Sequence, residues 1–320
     1  MSAQPSTAPV WSPDVMPRGR PVIVRATDGT RLHTEVFGPP DGYPIVLSHG
    51  FVCALRVWAY QITDLCGDYR VIAFDHRGHG RSGIPKRGGF SLNHLAADLD
   101  SVLEATLAPG ERAVIAGHSM GGITINAWAE RYPRRVQRFA DAVALINTTT
   151  GELVNHIDLL PFPRRFAPTR TLAATNLIRV IGGFPVHGLL SPPIRPMVEM
   201  MAVGALADPA IADFIYELFE NTPPAGRGGA ARAMVNEMGA RYFNLANLSV
   251  PALVIGSERD RLTPISQSRR IAAEVPELFK LVELPGGHCS ILEHPDRVNA
   301  ELRGLIEAVA GRSAAREASS

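Results

Sequence analysis

The residues Ala113-Val114-Ile115-Ala116-Gly117-His118-Ser119-Met120-Gly121-Gly122 carry the strongest chemical signal in the chain. An apolar run leads into Gly-x-Ser-x-Gly and straight on into a helical pattern with Ile123, Ala127 and Trp128 inward. A serine at so sharp a strand-to-helix turn takes a strained backbone and lifts its hydroxyl above the carboxyl edge of the sheet. Gly117 and Gly121 are needed there because side chains would strike the neighbouring strand and helix. The helix that starts at the serine favours a developing negative charge through its free N–H groups and dipole. The pattern marks Ser119 as a nucleophile, against the plainer reading of an ordinary glycine-rich turn.

A serine hydroxyl is a weak nucleophile and needs a base, which in turn needs an orienting acid. Both must stand at the same carboxyl edge, so they should follow later strands. Ser257-Glu258-Arg259-Asp260-Arg261 follows the apolar run 252–256, and Pro285-Gly286-Gly287-His288 follows the last strand pattern. Asp260 and His288 are therefore the expected acid and base, with Glu258 the rival carboxylate. His294 precedes Pro295 and reads as a helix entrance, and His118 points elsewhere on the turn. Asn147, Thr148 and Thr149 follow the run 142–146 and supply no carboxylate.

Acyl chemistry also needs donors for the tetrahedral oxyanion, worth about 3–4 kcal/mol each. The Met120 N–H, next to the nucleophile, is one. The loop Ser48-His49-Gly50-Phe51 offers the Phe51 N–H as the second, with His49 and Gly50 shaping the loop. No metal is expected at His49, His76 or His79: ligand spacing, H-E-x-x-H and C-x-x-C are all missing.

The elements that must position these groups alternate. Residues 22–25 and 32–37 flank Asp28-Gly29 as a hairpin. Short apolar runs at 44–48, 70–74, 113–116, 142–146, 252–256 and 280–284 read as strands buried on both faces. Between them lie helical patterns, such as Leu92, Leu95, Leu99, Val102 and Leu103 behind a capping Ser91, and a last helix spans about 296–309. The fold class is α/β, a mostly parallel central sheet flanked by helices. The rhythm breaks between 150 and 247, where prolines cluster around helical stretches at 172–181, 210–220 and 230–241. The expected organisation is a loose leader over 1–20, a first core segment 21–149, a helical cap 150–247, a second core segment 248–312 and a tail 313–320.

The 320 residues carry 32 Lys+Arg against 31 Asp+Glu, a net charge of +1. That balance disfavours nucleic-acid binding through a basic face and stable anchoring to an anionic membrane. Cys53, Cys66 and Cys289 are too few and scattered for a disulfide framework, and no secretory leader or spanning run is read, so a cytoplasmic location is expected. Cys289 and Cys53 read as packing residues. The apolar content of the cap, methionines included, suits an acyl chain.

Jointly, His49-Gly50-Phe51 with Trp58, Asp75-His76-Arg77-Gly78-His79-Gly80-Arg81-Ser82, Gly117–Gly122, Asp260, and His288 with Glu293-His294-Pro295 resemble the α/β-hydrolase superfamily, most of all its capped esterase and lipase-like members. The resemblance implies a serine hydrolase of carboxylic esters with the triad Ser119, Asp260 and His288, a small-molecule ester or acyl substrate and no cofactor. It makes Asp75–Ser82 a structural turn. Ser119 disfavours the epoxide hydrolases and haloalkane dehalogenases of this fold, which carry aspartate at the elbow. A carbon–carbon bond hydrolase of ring-cleavage products, a peptidase, and a ligand-binding protein on the same scaffold are the alternatives. Monomer and homodimer are equally compatible with the sequence.

Overall fold

The computed structural model describes residues 16–153, 191–239 and 241–317; the helix expected at 172–181 lies outside the described residues. β1 (Arg20–Arg25) and β2 (Arg31–Phe37) form the expected antiparallel hairpin. Its turn is closed by Asp28 Oδ1, which accepts the Thr30 N–H, and by Gly29 at φ +83°. β3 (Pro44–Ser48), β4 (Arg70–Phe74), β5 (Ala113–His118), β6 (Ala140–Ile146), β7 (Ala252–Ser257) and β8 (Leu278–Leu284) complete one sheet of order β1-β2-β4-β3-β5-β6-β7-β8. Every pair from β4 to β8 along this order is parallel, and β2 meets β4 antiparallel.

The central strands read as continuous apolar runs because helices cover both faces of the sheet. Val46, Ile115, Val143 and Val254 enter one core, while Ile45, Val114, Ala144 and Ile255 enter the other. Before β6 the chain forms α1 (Ala59–Leu65), α2 (Leu92–Thr106), α3 (Met120–Arg131) and α4 (Pro133–Phe139). The Ser91 Oγ accepts the His94 N–H at the start of α2, whose Leu92, Leu95, Leu99, Val102 and Leu103 are buried at the spacing of one helical face.

Between β6 and β7 the structure describes α5 (Ser191–Ala202), α6 (Pro209–Asn221) and α7 (Pro224–Glu237). An isolated antiparallel bridge between Gly151 and Tyr242 closes the base of this insertion. Two boundaries differ from the sequence reading. Residues 191–202 form a helix despite Pro192, Pro193 and Pro196, because a proline in the first turn forfeits no helical bond and only Pro196 lies farther in. α7 starts at Pro224, ahead of the expected 230, although Gly226, Gly228 and Gly229 lower its helix propensity. Tertiary packing demands those small residues: a side chain at Gly226 would strike the Gly78 backbone, and one at Gly229 the Phe90 ring.

After β7 come α8 (Ile265–Glu274), α9 (Ser290–Glu293) and α10 (Pro295–Glu317). α10 runs past 313, where a tail was expected, since Ala314, Ala315, Arg316 and Glu317 are good helix formers with no breaker among them. The expected leader likewise ends early, because Arg20 already pairs with Val36 and Met16 packs against the core. Among the described residues, no helix is long and apolar enough to cross a membrane.

One buried ion pair ties the turn after β4 to α2 and to the hairpin. Arg77 donates through Nε and Nη2 to Asp98 at 2.6 and 2.5 Å, and through Nη1 to Asp28 at 2.9 Å and the Gly89 carbonyl at 2.6 Å. Both Arg77 and Asp98 side chains are fully buried. Removing one partner of such a pair strands the other charge, at a cost of about 3–5 kcal/mol. Asp98→Ala should lose that much stability in urea unfolding, and Asp98→Leu combined with Arg77→Leu should lose less. A loss below about 1 kcal/mol for the single change would mean that water reaches the guanidinium and the pair does not brace the turn.

Candidate active site

Ser119 stands between β5 and α3 with φ +53° and ψ −117°, a conformation that side chains rarely adopt. The wedge around it is tight. A Cβ on Gly117 would lie 2.5 Å from the Gly121 carbonyl carbon, and one on Gly121 would run into the Ser48 carbonyl of β3. The Ser119 N–H donates to the Ile146 carbonyl at 2.9 Å. Its own carbonyl accepts from Thr148 Oγ1 at 2.8 Å, Gly122 N–H at 2.9 Å and Ile123 N–H at 3.1 Å. A trans peptide points its C=O and N–H in opposite directions, so pinning the Ser119 oxygen aims the Met120 N–H the other way. Met120 is the first residue of α3, where an N–H has no acceptor within the helix.

The loop after β3 approaches closely. A Cβ on Gly50 would stand 3.2 Å from Ser119 Cβ and 3.0 Å from His118 Nδ1. His49 is fully buried; its Nδ1–H donates to the Gly50 carbonyl at 2.7 Å while Nε2 accepts the His76 N–H at 2.9 Å. Holding the Gly50 oxygen fixes the same peptide's Phe51 N–H. Val52 follows at φ +52°, and the Thr222 hydroxyl of the inserted segment lies 3.2 Å from its carbonyl.

The turn below is built of polar groups facing one another. Asp75 accepts the Leu55 N–H at 2.7 Å and the Arg81 N–H at 2.8 Å. His76 Nε2 is hydrogen-bonded to Ser48 Oγ at 3.0 Å, and His79 Nδ1–H donates to the Arg77 carbonyl at 3.0 Å. Their rings stand 4.7 and 5.5 Å from that of His49. Burial lowers His76 to about 3 and His79 to about 4; burial and these two neighbours hold His49 well below the ordinary imidazole value. Among the described residues, no group of three or more His, Cys, Asp or Glu is placed to hold a metal ion.

Across the sheet edge, His288 Nδ1–H donates to Asp260 Oδ2 at 2.8 Å. Asp260 is buried and well supplied with donors. Its Oδ1 accepts the Leu262 and Thr263 N–H groups at 2.8 and 2.9 Å, and its Oδ2 also accepts Thr263 Oγ1 at 2.7 Å and Asn147 Nδ2 at 3.0 Å. Burial alone would raise this carboxyl, but the charge of His288 and these donors outweigh it and keep Asp260 below its usual range. Glu258, the rival carboxylate, is exposed. His294 ends α9 and leads into Pro295 at the start of α10. Cys53 and Cys289 are buried in one apolar cluster; burial pushes the Cys53 thiol up to about 12 and raises Cys289 as well.

Two residues set aside in the sequence reading belong to this arrangement. His118 donates its Nε2–H to the His288 carbonyl at 2.9 Å, joining the elbow to the histidine loop. Asn147, at φ +43°, donates to Asp260 and to Ser257 Oγ and accepts from Ser290 Oγ at 2.5 Å, so one amide links both loops. The available signal was the residue type: asparagine tolerates a positive φ and offers both donor and acceptor.

Residues 43–295 match the family profile described as the alpha/beta hydrolase fold. The chain belongs to that family. It is 28% identical over 292 residues to a non-heme chloroperoxidase of Streptomyces lividans, covering 89% of this chain and 99% of that one. It is 25% identical to the probable oxidoreductase EphD of Mycobacterium tuberculosis over 92% of its own length, and spans about half the length of that relative, 50%. Among solved structures, a thermophilic esterase from Thermogutta terrifontis is 25% identical with a TM-score of 0.70, over 92% of this chain and 99% of that chain.

Two outcomes follow for this hydrolase-fold protein. His49, His76, His79 and His118 are buried and hold fewer protons than in the unfolded chain below pH about 6.5, so stability should fall with falling pH. Each contributes a loss of about 1.4 kcal/mol between pH 7.5 and 5.5, offset in part by Asp98, which burial raises to about 6, and by Asp75, which burial also raises. Urea unfolding at the two pH values checks this; equal stability would show these imidazoles charged or solvated in the fold. Asn147→Leu keeps the number of side-chain heavy atoms but strips a donor from a buried carboxylate and loses asparagine's tolerance of φ +43°, and should cost about 2 kcal/mol or more in the same assay at pH 7.5. No loss would mean that the Asn147 amide is dispensable to Asp260.

Proposed function

We propose that this protein is a serine hydrolase that cleaves carboxylic esters with an apolar acyl part, through an acyl-enzyme on Ser119. The observation that carries the reading is the Asp260–His288 hydrogen bond of 2.8 Å at the same sheet edge as a serine in an elbow conformation. In this mechanism the Ser119 hydroxyl attacks the ester carbonyl and His288 Nε2 takes its proton, while Asp260 holds Nδ1–H and balances the imidazolium charge. The carbonyl oxygen becomes an oxyanion held by the Phe51 and Met120 N–H groups, worth about 3–4 kcal/mol each. Collapse expels the alcohol, which takes the proton from His288. Water, activated by the same imidazole, then releases the carboxylic acid and regenerates Ser119.

The helices inserted between β6 and β7 act as a cap over this edge. They reach both sides of it, with Thr222 against the Val52 carbonyl and the Ala202 carbonyl accepting the Cys289 N–H. Their apolar residues Phe214, Ile215, Leu218 and Phe219 join the core cluster that also holds Cys53 and Cys289, which supports an acyl group as the part of the substrate under the cap.

The test is hydrolysis of p-nitrophenyl esters from acetate to palmitate by the wild type and by Ser119→Ala. A preferred chain length is expected, with activity reduced about 10³-fold or more in the variant. Near-wild-type hydrolysis by Ser119→Ala would end the proposal.

A further inference from the structure

Three successive residues of the loop that carries His288 are gripped from three different parts of the chain. The Gly287 N–H donates to the Glu293 carboxylate, at 2.9 Å to Oε2 and 3.1 Å to Oε1. The His288 carbonyl accepts His118 Nε2–H at 2.9 Å. The Cys289 N–H donates to the carbonyl of Ala202 at 3.0 Å. Ala202 is the last residue of α5, where a helix leaves its carbonyls without internal partners.

The same end of α5 makes a second bond in the opposite sense. The Gly204 N–H donates to Glu293 Oε2 at 3.0 Å, so one carboxylate joins the histidine loop to the inserted helices. The seam admits no side chain: a Cβ on Gly204 would stand 2.7 Å from Glu293 Oε2 and 2.9 Å from the Gly287 nitrogen. Gly286, just before, sits at φ +105°, where only glycine is unstrained. Glu293 thus spends its charge on main-chain N–H groups rather than on a cation, and among the described residues no ion pair involves it.

We propose that Glu293 is a positioning residue for His288, and that docking of the α5 end on Glu293 and Cys289 makes the inserted helices a condition for catalysis. This rests on the serine-hydrolase reading, in which His288 is the base. With α5 displaced, Glu293 loses one of its N–H donors and Cys289 its acceptor, and the loop is left to the His118 bond and to Gly287. Displacement of a catalytic group by about 1 Å costs on the order of 10² in rate.

The experiment uses the full chain and reads two rates. One is phosphonylation of Ser119 by a fluorophosphonate, which needs His288 as base and is blind to the acyl group. The other is kcat and KM for the best p-nitrophenyl ester. Glu293→Gln, Gly204→Ala and the double variant are compared with wild type, with thermal melting as the control for folding. Glu293→Gln keeps the side chain's size, and Gly204→Ala forces the seam apart from the other side. Each single variant should lower phosphonylation and kcat about 10-fold or more, with KM within about twofold and Tm within a few degrees. The double variant should be no slower than the slower single, because both break one coupling.

Wild-type rates in both single variants would overturn the inference, as would effects that multiply in the double variant. So would rate losses that merely track a lowered Tm. A wild type that the fluorophosphonate does not label would instead sink the serine-hydrolase reading itself. Labelled wild type with equally labelled variants would leave that reading intact and remove only the role of Glu293 and α5.

Discussion

A serine held at φ +53° is the constraint from which the rest of the site takes its shape. Such a backbone costs about 1–3 kcal/mol and persists only where the surroundings over-determine it. Here the surroundings do so from three sides. The Ile146 carbonyl takes the serine N–H, Thr148 and the first turn of α3 take its carbonyl, and glycines at 117 and 121 let β3, β5 and α3 close to backbone contact. The same bonds that hold the strain also aim the Met120 N–H, so the turn and the donor proposed for the oxyanion are one structure. His49 repeats the device across the gap by fixing the Gly50 carbonyl and with it the Phe51 N–H.

Sheet order then sets a problem of reach. β8 is three strands from β5, about 14 Å at the usual strand spacing, so the loop bearing His288 must fold back along the edge to meet the elbow, which it does at His118. Asp260, after β7, and Asn147, after β6, occupy the intervening positions. The Asn147 amide joins the two by bonding Asp260 on one side and Ser290 on the other, while His118 reaches out from the elbow to the His288 carbonyl. Long reach without fixed anchors would leave the imidazole mobile; the fold answers with buried hydrogen bonds at every intervening strand. The unpaired charge that burial forbids is avoided too: the four buried imidazoles near the elbow stay neutral, and Asp260 keeps its charge because five donors surround it.

What the sequence made legible was local in origin. The elbow is six residues whose glycines, serine and flanking runs are adjacent, and the two-sided burial of β3, β5, β6 and β7 appears as unbroken apolar runs. Asp260 and His288 could be read because each follows a strand at the edge where the serine stands. The proline-rich approach to α5 and the glycine-rich start of α7 resisted reading because propensity is a local quantity and the reason for those residues is not. Gly226 and Gly229 are where α7 meets the turn at Gly78 and the ring of Phe90, residues far away in sequence. Asn147 was visible but carried no charge, and its value lies in having both a donor and an acceptor between two loops that only folding brings together. Glu293 stood in a motif without an assignable role, since its partners are main-chain N–H groups that no residue type announces.

In the proposed hydrolase the groups that finish the site are to a large degree main chain: the N–H of Phe51 and Met120 for the oxyanion, the Ala202 carbonyl toward Cys289 and the Gly204 N–H toward Glu293. Main-chain groups are supplied by any residue, so the inserted helices can change their side chains freely without disturbing these bonds. The close approach itself restricts the sequence at Gly204, where a Cβ would meet Glu293 Oε2 and the Gly287 nitrogen, and at Gly287, where it would meet the Gly204 nitrogen. Side chains of α5 and α6 are thereby released from holding the site and left to shape what lies beneath them. A protein built this way separates two tasks physically: main-chain groups at the end of α5 hold the histidine loop, and in the proposed hydrolase the side chains of the inserted segment are the ones left to meet the substrate.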